Sequence, residues 1–481
     1  MRIRQLSPRV LLPTVAAFAG GLALGGLRAP TAEATPETQN AYQAVAQLGR
    51  VLVQVENHYV DPVERAKIVE GAIKGMVDNL DPHSSYLPPD EWKQFQSDTE
   101  GKFGGVGIEV DGRGERLIVI APIEGSPAAR AGIKSGDQII AVDGEDVMSQ
   151  ALDKVVKKMR GAPGTKVKIT IHRESARGDA PAAPPADKAD GGAHAVRAGQ
   201  TLVFEVTREV IHVSAVNYKL LDGNIGYIRI KQFQERTHAE TMAATAKLRA
   251  EAKGGAITGV LLDLRSNPGG LVDEATEIAD EFLSQGGIYS MRHRGEIIED
   301  LKARAGGAFA DLPVVVLVNE WSASASELLV GALQDNKRAT VVGANTFGKG
   351  SVQSILPLPN GAGLKLTTAR YYTPSGHAIQ ADGIHPDVVI ESGTRGPAEA
   401  PKITRERDLP GHLPGEGPAG PAAPARDGGV VVIDGGAGAD VVSGMLARDM
   451  PTDPSTSADV VLRVGYQMLK SQVGAKNVFT K

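Results

Sequence analysis

The clearest pattern in the chain is an alternation of short apolar, β-branched runs with segments of helical periodicity, which begins near residue 213. Strands buried on one or both faces are predicted over residues 225–230, 260–264 and 313–318. Helices are predicted over residues 238–252, 271–283 and 324–336. Strands that alternate with helices in this way predict an α/β core, which we place at residues 211–392.

The region before this core has a different pattern. Residues 38–80 have helical periodicity with two apolar faces, one carrying Leu48 and Val51 and the other Ile68 and Ile73. We predict two packed helices within a helical region at residues 35–100.

Residues 101–210 include the predicted strands 167–171 and 202–206, separated by a segment rich in Ala, Pro, Asp and Gly. We interpret this segment as a disordered insertion at 174–200.

The last part of the chain is rich in Pro, Gly and Ala, which predicts a linker over residues 393–456. A C-terminal helix is predicted within residues 457–481, because Val460, Val461, Val464 and Met468 fall on one face. We therefore expect a multidomain protein of mixed α/β and α+β class.

The first 34 residues resemble a secretory signal. Three arginines precede an apolar stretch at residues 10–27, and Ala32-Glu33-Ala34 then supplies small residues for cleavage. We expect an exported protein of the periplasm or cell envelope. The length of the apolar stretch also allows an uncleaved anchor in the inner membrane.

Composition narrows the function classes. The 481 residues include 52 basic and 57 acidic side chains, for a net charge of −5, so no nucleic-acid partner is expected. The chain contains no cysteine, which excludes disulfides and lipidation at cysteine.

The strongest chemical signal is a serine cluster, Ser322, Ser324 and Ser326, at the turn between the predicted strand 313–318 and the following helix. At such a turn a hydroxyl is presented beside free N–H groups that can stabilise an oxyanion. Lys349 lies downstream, and a buried neutral lysine could take the serine proton. The alternative is that Ser322 or Ser324 only caps the helix, with Glu327 completing a capping box.

Residues 343–349 read GANTFGK and almost complete a P-loop, so nucleotide binding is a second alternative. A P-loop needs Ser or Thr directly after the lysine and a helix that begins there, whereas Gly350 follows and residues 351–357 predict a strand. No HExxH or paired-cysteine spacing is present, and we expect neither a metal nor a cofactor.

The sequences VNEWSASASE, TFGKGSVQ, LDLRSNPGG and LDPHSSYL together resemble the carboxyl-terminal processing (tail-specific) proteases over residues 40–390. The resemblance implies a crotonase- or Clp-like catalytic core, with Ser324 as nucleophile, Lys349 as general base and Gln353 orienting the lysine. It also implies an oxyanion hole formed by the backbone of the Gly269-Gly270 turn and of Ala325. For His83 we expect a structural role.

Residues 101–210 resemble a PDZ domain. The resemblance rests on the loop Gly104-Gly105-Val106-Gly107-Ile108 and on SPAARAGIKSGDQIIAVDG. It implies that Gly105, Val106, Gly107 and Ile108 bind the terminal carboxylate of a peptide, whose chain pairs with a strand edge.

The expected function is an exported serine endopeptidase that binds protein substrates by their C-terminal ends and cuts through an acyl-enzyme. The resemblance also allows a homo-oligomer through the N-terminal helices and a regulatory adaptor. The rival from another class is a non-catalytic PDZ scaffold or chaperone that binds chain ends.

Overall fold

The computed structural model describes residues 36–113, 116–148, 150–174, 199–391, 404–416, 431–434 and 450–479. The predicted signal or anchor segment and residues 175–198 of the predicted insertion lie outside these ranges. The residues described divide into two compact units, with the boundary between Ala72 and Ile73. Within the ranges described, no helix combines the length and the apolarity that crossing a membrane requires.

The predicted N-terminal helices are confirmed as α1 (Pro36–His58) and α2 (Arg65–Asp78). Leu48 and Val51 on α1 are nevertheless 59% and 56% exposed. Apolar periodicity reports which residues share a face, but it does not report what covers that face. The apolar stripe of α1 therefore remains available to another surface.

Two short elements follow, β1 (Ser85–Leu87) and α3 (Pro89–Thr99). The predicted PDZ region then consists of β2 (Lys102–Gly105), β3 (Ile108–Arg113), β4 (Arg116–Pro122), α4 (Pro127–Ala131), β5 (Gln138–Val142), β6 (Glu145–Asp146), α5 (Leu152–Met159), β7 (Lys166–Glu174), β8 (Gly199–Thr207) and β9 (Glu209–His212). Its six-stranded sheet has the order β3-β4-β5-β7-β8, with β6 beside β5, and β2 pairs with β9. Pairing of β7 with β8 reaches Glu174 and Gly199, so both ends of the predicted insertion belong to the hairpin.

The predicted α/β core is confirmed. It contains β10 (Val216–Leu221), β11 (Ile225–Ile230), α6 (Thr237–Glu251), β12 (Gly259–Asp263), α7 (Val272–Phe282), β13 (Gly287–His293), β14 (Glu296–Lys302), β15 (Val314–Val318), α8 (Ala325–Asp335), β16 (Thr340–Gly343), β17 (Ser351–Pro357), β18 (Gly363–Tyr372), β19 (Val388–Glu391), β20 (Val431–Asp434) and α9 (Val460–Phe479). The main sheet has the order β10-β11-β12-β15-β16-β19-β20 and is parallel from β11 to β20.

Both faces of the main sheet are buried, because successive side chains of a strand point to opposite faces. Leu262 and Val316 pack with α6, α7 and α8 in one core. Leu261, Val315 and Leu317 pack with α9 in a second core. This explains the continuous apolar runs, and it shows that the predicted C-terminal helix is the second cover of the sheet.

The linker predicted over residues 393–456 contains two segments that belong to the catalytic unit. Residues 431–434 form β20, which pairs with β19. Residues 404–416 include the fully buried Glu406, whose backbone N–H donates to the carbonyl of Phe347 at 3.2 Å. Composition alone therefore does not separate a linker from irregular backbone that packs against a domain, as residues 404–416 do.

A second sheet carries part of the site, with the order β1-β18-β13-β14 and β17 paired to β18. Asn360-Gly361 lies in the turn of a hairpin, since β17 and β18 pair in antiparallel register up to Pro357 and Gly363. Gly361 has a φ of 79°, the left-handed conformation that such turns need.

Candidate active site

Two strand-to-helix turns meet at the carboxyl edge of the main sheet. One follows β12 and carries residues 264–271, and the other follows β15 and carries residues 319–324. Asn267 joins them: its carbonyl accepts the N–H of Ala323 and the hydroxyl of Ser326, both at 3.0 Å. Adjacent parallel strands end at the same edge, so the sheet order β12-β15 brings the two turns together.

The three clustered serines have different surroundings. The hydroxyl of Ser322 donates to the carbonyl of Leu264 at 2.9 Å, and that of Ser326 donates to Asn267. The hydroxyl of Ser324, by contrast, has no acceptor among the residues that the structure describes. Ser324 also has a φ of 57°, which is unusual for a residue with a side chain and is a known form of strain at functional turns.

Glu327 connects the serine turn to the lysine loop. Its Oε2 accepts the backbone N–H of Ser324 at 2.7 Å and that of Lys349 at 2.9 Å. Its Oε1 accepts the Thr346 hydroxyl at 2.6 Å and the Gly348 N–H at 2.7 Å. The Glu327 half of the predicted capping box is present, whereas the Ser324 side chain makes no capping hydrogen bond. The same carboxylate, which is fully buried, also fixes the loop that carries the lysine.

The electrostatic surroundings favour a neutral lysine. Burial, together with the nearby positive charge of Lys365, lowers the pKa of Lys349 to about 8. The carboxylates of Glu406, Glu327 and Asp81 act in the opposite direction. Burial also raises the pKa of Glu327 to about 7, against the hydrogen bonds that favour its ionised form. Lys349 can therefore accept a proton near neutral pH, as a general base must.

The predicted oxyanion groups lie beside Ser324. Gly269 has a φ of 98°, and a Cβ built on it would lie 2.8 Å from Ser324 Cβ and 3.0 Å from the Ala325 nitrogen. The Gly269 N–H donates to Asn267 Oδ1 at 2.9 Å. The Phe233 N–H donates to the carbonyl of Gly269, and the Phe233 carbonyl accepts the N–H of Leu271. The Gly270 N–H takes no part in this pairing. Among the described residues, neither the Gly270 N–H nor the Ala325 N–H has an acceptor, and the oxyanion roles of Gly269, Gly270 and Ala325 stay predictions.

Replacing Gly269 with alanine is expected to lower kcat about 100-fold while the fold is retained, because the new methyl group would displace Ser324 and Ala325 by a few tenths of an ångström or more. The left-handed φ adds strain. The measurement is peptide cleavage together with circular dichroism. Gly295→Ala is the matched control, since Gly295 has a φ of 88° and open space around it. Equal activity of the two variants would contradict the placement of this turn.

Gln353 lies on β17, four residues after Lys349. Its Nε2 donates to Ser351 Oγ at 2.9 Å and to Thr367 Oγ1 at 3.3 Å. A bond from Gln353 to Lys349 is not among the contacts of the described residues, so the orienting role of Gln353 stays a prediction. Thr367 donates in turn to Asp81 Oδ1 at 3.0 Å, and this bond ties the segment after α2 to β18.

His83 has the structural surroundings that the sequence analysis favours. Its Nε2 lies 2.7 Å from Glu406 Oε2, and its backbone N–H donates to Asp81. The alternative of a P-loop at residues 343–349 is wrong, because Ser351 begins a strand where a P-loop requires a helix.

The predicted peptide-binding loop precedes β3, the edge strand of its sheet. The carbonyl of Val106 accepts the N–H of Ala128, and that of Gly107 accepts the N–H of Ile123, both at 2.9 Å. Gly107 has a φ of 75°. The loop is thus held by its carbonyl groups and precedes a strand at the end of the sheet order, the position that β-augmentation uses. The carboxylate-binding roles of Gly105, Val106, Gly107 and Ile108 stay predictions.

Three family profiles match the chain. Residues 224–390 match Peptidase family S41, residues 118–173 match the PDZ domain, and residues 27–90 match the Activating protease CtpB N-terminal domain.

Known proteins are similar over most of the length. A carboxy-terminal-processing protease of Bartonella bacilliformis is 37% identical over 441 residues, which cover 91% of each chain. A probable CtpA-like serine protease of Staphylococcus haemolyticus is 37% identical, over 74% of this chain and 66% of that protein. Among solved structures, a photosystem II D1 C-terminal processing protease is 28% identical, over 73% of this chain and 91% of that one, with a TM-score of 0.41.

Proposed function

Since the chain belongs to peptidase family S41 and is a serine-type peptidase, we propose that it is an exported endopeptidase that cleaves protein substrates near their C-terminal ends through a Ser324–Lys349 dyad. One observation carries the proposal. A single buried carboxylate, that of Glu327, holds the backbone N–H groups of both Ser324 and Lys349, and the pKa of that lysine is lowered to about 8.

The first half of the reaction forms an acyl-enzyme. Ser324 Oγ attacks the carbonyl carbon of the scissile peptide, and Lys349 Nζ takes the hydroxyl proton. The negative charge on the former carbonyl oxygen is stabilised by the N–H groups of Gly270 and Ala325. The C–N bond then breaks, and the leaving amine takes the proton from Lys349.

The second half restores the enzyme. Water attacks the ester carbon while Lys349 takes a proton from the water, and the same oxyanion groups stabilise the intermediate. When the ester bond breaks, Ser324 regains its proton from Lys349. Lys349 carries the proton in each of these transfers.

Substrate selection is proposed for the PDZ domain, with the chain end at the loop 105–108 and the preceding residues along the β3 edge. The exposed stripe of α1 supports a homo-oligomer through the N-terminal helices. Export, with or without a retained anchor, is proposed on the pattern of residues 1–34. A regulatory adaptor remains part of this proposal.

The test is cleavage of an unfolded protein with an apolar C-terminal tail, measured against pH in buffer that contains a chelator. We expect kcat/KM to rise with pH and to reach half its maximum near pH 8, because Lys349 must lose its proton to act as a base. Protonation of Glu327 near pH 7 would remove an acceptor from the lysine loop, so the fall on the acid side should be steep.

Two variants distinguish the proposal from its rival. Ser324→Ala should abolish cleavage, whereas Ser326→Ala should retain measurable cleavage, because the Ser326 hydroxyl is already bonded to a carbonyl. Cleavage that survives in Ser324→Ala would exclude the dyad. Tail binding without cleavage by the wild-type protein would instead favour the scaffold or chaperone.

A further inference from the structure

Residues 404–416, here called the strap, lie against the loop that carries Lys349. At its beginning, the N–H of Glu406 donates to the carbonyl of Phe347, two residues before the lysine. Near its end, the carbonyl of Leu413 accepts the side chain of Gln380 at 3.1 Å, and Glu416 contacts Arg370 and Tyr372. The strap is therefore attached to the catalytic domain at both ends.

The carboxylate of Glu406 is the buried centre of this attachment and has 0% exposure. Its Oε2 lies 2.7 Å from His83 Nε2, and its Oε1 accepts Gln380 Nε2 at 2.9 Å. Gln380 Oε1 in turn accepts the N–H of Gly350 at 3.0 Å. A short chain of hydrogen bonds thus connects Glu406 to the residue that follows Lys349.

The strap completes a set of contacts around the lysine loop. Glu327 holds the N–H groups of Gly348 and Lys349 from the side of α8. The side chain of Gln380, which is bonded to Glu406, accepts the N–H of Gly350. Burying a carboxylate such as that of Glu406 costs free energy. The cost is tolerated here because both oxygens have a hydrogen-bonding partner.

We propose that Glu406 is a positioning residue for the general base: through Gln380 it fixes the backbone directly after Lys349, and its carboxylate places a buried negative charge next to the lysine loop. The inference rests on the proposed role of Lys349. Glu406 lies outside the sequences SASASE and TFGKGSVQ. The strap that carries it belongs to a stretch whose composition predicts only a linker.

The charges around Lys349 give the direction of the effect. Lys365, on β18, lowers the pKa of Lys349, whereas Glu406, Glu327 and Asp81 raise it. Arg405 interacts with Glu327, and His83 with Glu406. Removing the charge of Glu406 therefore leaves the pKa of Lys349 lower, and the neutral amine then persists to lower pH.

The experiment compares the pH dependence of kcat/KM for the wild-type protein, Glu406→Gln, Glu406→Ala and Asp408→Asn. Glutamine matches glutamate in size and can keep both hydrogen bonds, so we expect its ascending limb to move by about 0.5–1 pH unit to lower pH. Alanine removes the bonds as well, and kcat should fall about 10–100-fold with KM little changed. Asp408→Asn, an exposed carboxylate of the same strap, is the matched control.

The proposal is overturned if the ascending limb of the kcat/KM profile lies at the same pH in Glu406→Gln as in the wild type and in Asp408→Asn. A purely structural role would lower kcat without moving that limb. A second measurement separates this failure from failure of the dyad. In the Ser324→Ala background, brief acetylation by acetic anhydride across pH, with Lys349 quantified by mass spectrometry, reports the neutral amine without cleavage. The same shift is expected there for Glu406→Gln, and its absence would also overturn the proposal.

Discussion

Replacing Lys349 with methionine is expected to lower kcat/KM by about 10⁴-fold or more while the protein stays folded. Methionine keeps most of the length and apolar volume of the lysine stem and removes only the amine. Because burial already disfavours the charged amine, its removal leaves little unpaired charge behind. The double variant with Ser324→Ala should be no less active than either single one, since the two groups act as a unit.

Lys365→Met is the matched control, because the same change is made to the neighbouring lysine. The positive charge of Lys365 lowers the pKa of Lys349. Its removal should therefore retain cleavage and move the ascending limb to higher pH, opposite to the shift expected for Glu406→Gln. If Lys349→Met keeps more than about 1% of the wild-type kcat/KM, another group supplies the base.

Replacing Asp459 with alanine is expected to destabilise the catalytic unit by about 3–5 kcal/mol. The carboxylate of Asp459, at the start of α9, binds Arg265 Nη1 with both oxygens at 2.9 Å. Arg265 also binds Asp263, which accepts the Tyr227 hydroxyl at 2.8 Å. These side chains are buried, so the variant leaves a guanidinium with too little negative charge beside it.

Thermal unfolding measures this effect, and a decrease of about 10 °C in the midpoint is expected. Asp453→Ala is the control, because Asp453 only caps a short turn through the N–H of Ser455. A midpoint for Asp459→Ala within about 2 °C of the control would contradict the importance of the pair. Arg265→Met combined with Asp459→Leu should not recover the loss, since it would leave the buried carboxylate of Asp263 without its guanidinium partner.

The local features of the site follow from the sequence. The apolar run at 313–318, the serines after it and the helical period from residue 324 predict the turn that carries Ser324. The strand at 351–357 likewise excludes a P-loop at Lys349. These features depend on residues close together in the chain, where periodicity and turn chemistry act.

The contacts that complete the site lie outside the reach of local patterns. The sequence predicts Glu327 as half of a capping box. It does not predict the bonds that Glu327 makes to Gly348 and Lys349, which lie in the loop after β16. The Asp81–Thr367 bond spans 286 residues and the His83–Glu406 contact spans 323. No single periodicity or composition rule links such positions. The Pro- and Gly-rich composition around Glu406 likewise gives no sign that this glutamate is buried.

The position of α9 has a kinetic consequence. The helix covers the sheet face formed by Leu261, Val315 and Leu317, and the Tyr466 hydroxyl reaches the carbonyl of Asp222 across 244 residues of chain. Contacts between such distant segments form slowly, because the entropy of closing the loop must be overcome before the contact contributes. Until α9 arrives, an apolar β-sheet face stays open to water and to other unfolded chains. Productive folding of this enzyme therefore competes with aggregation, and the rate at which α9 docks sets the length of that vulnerable period.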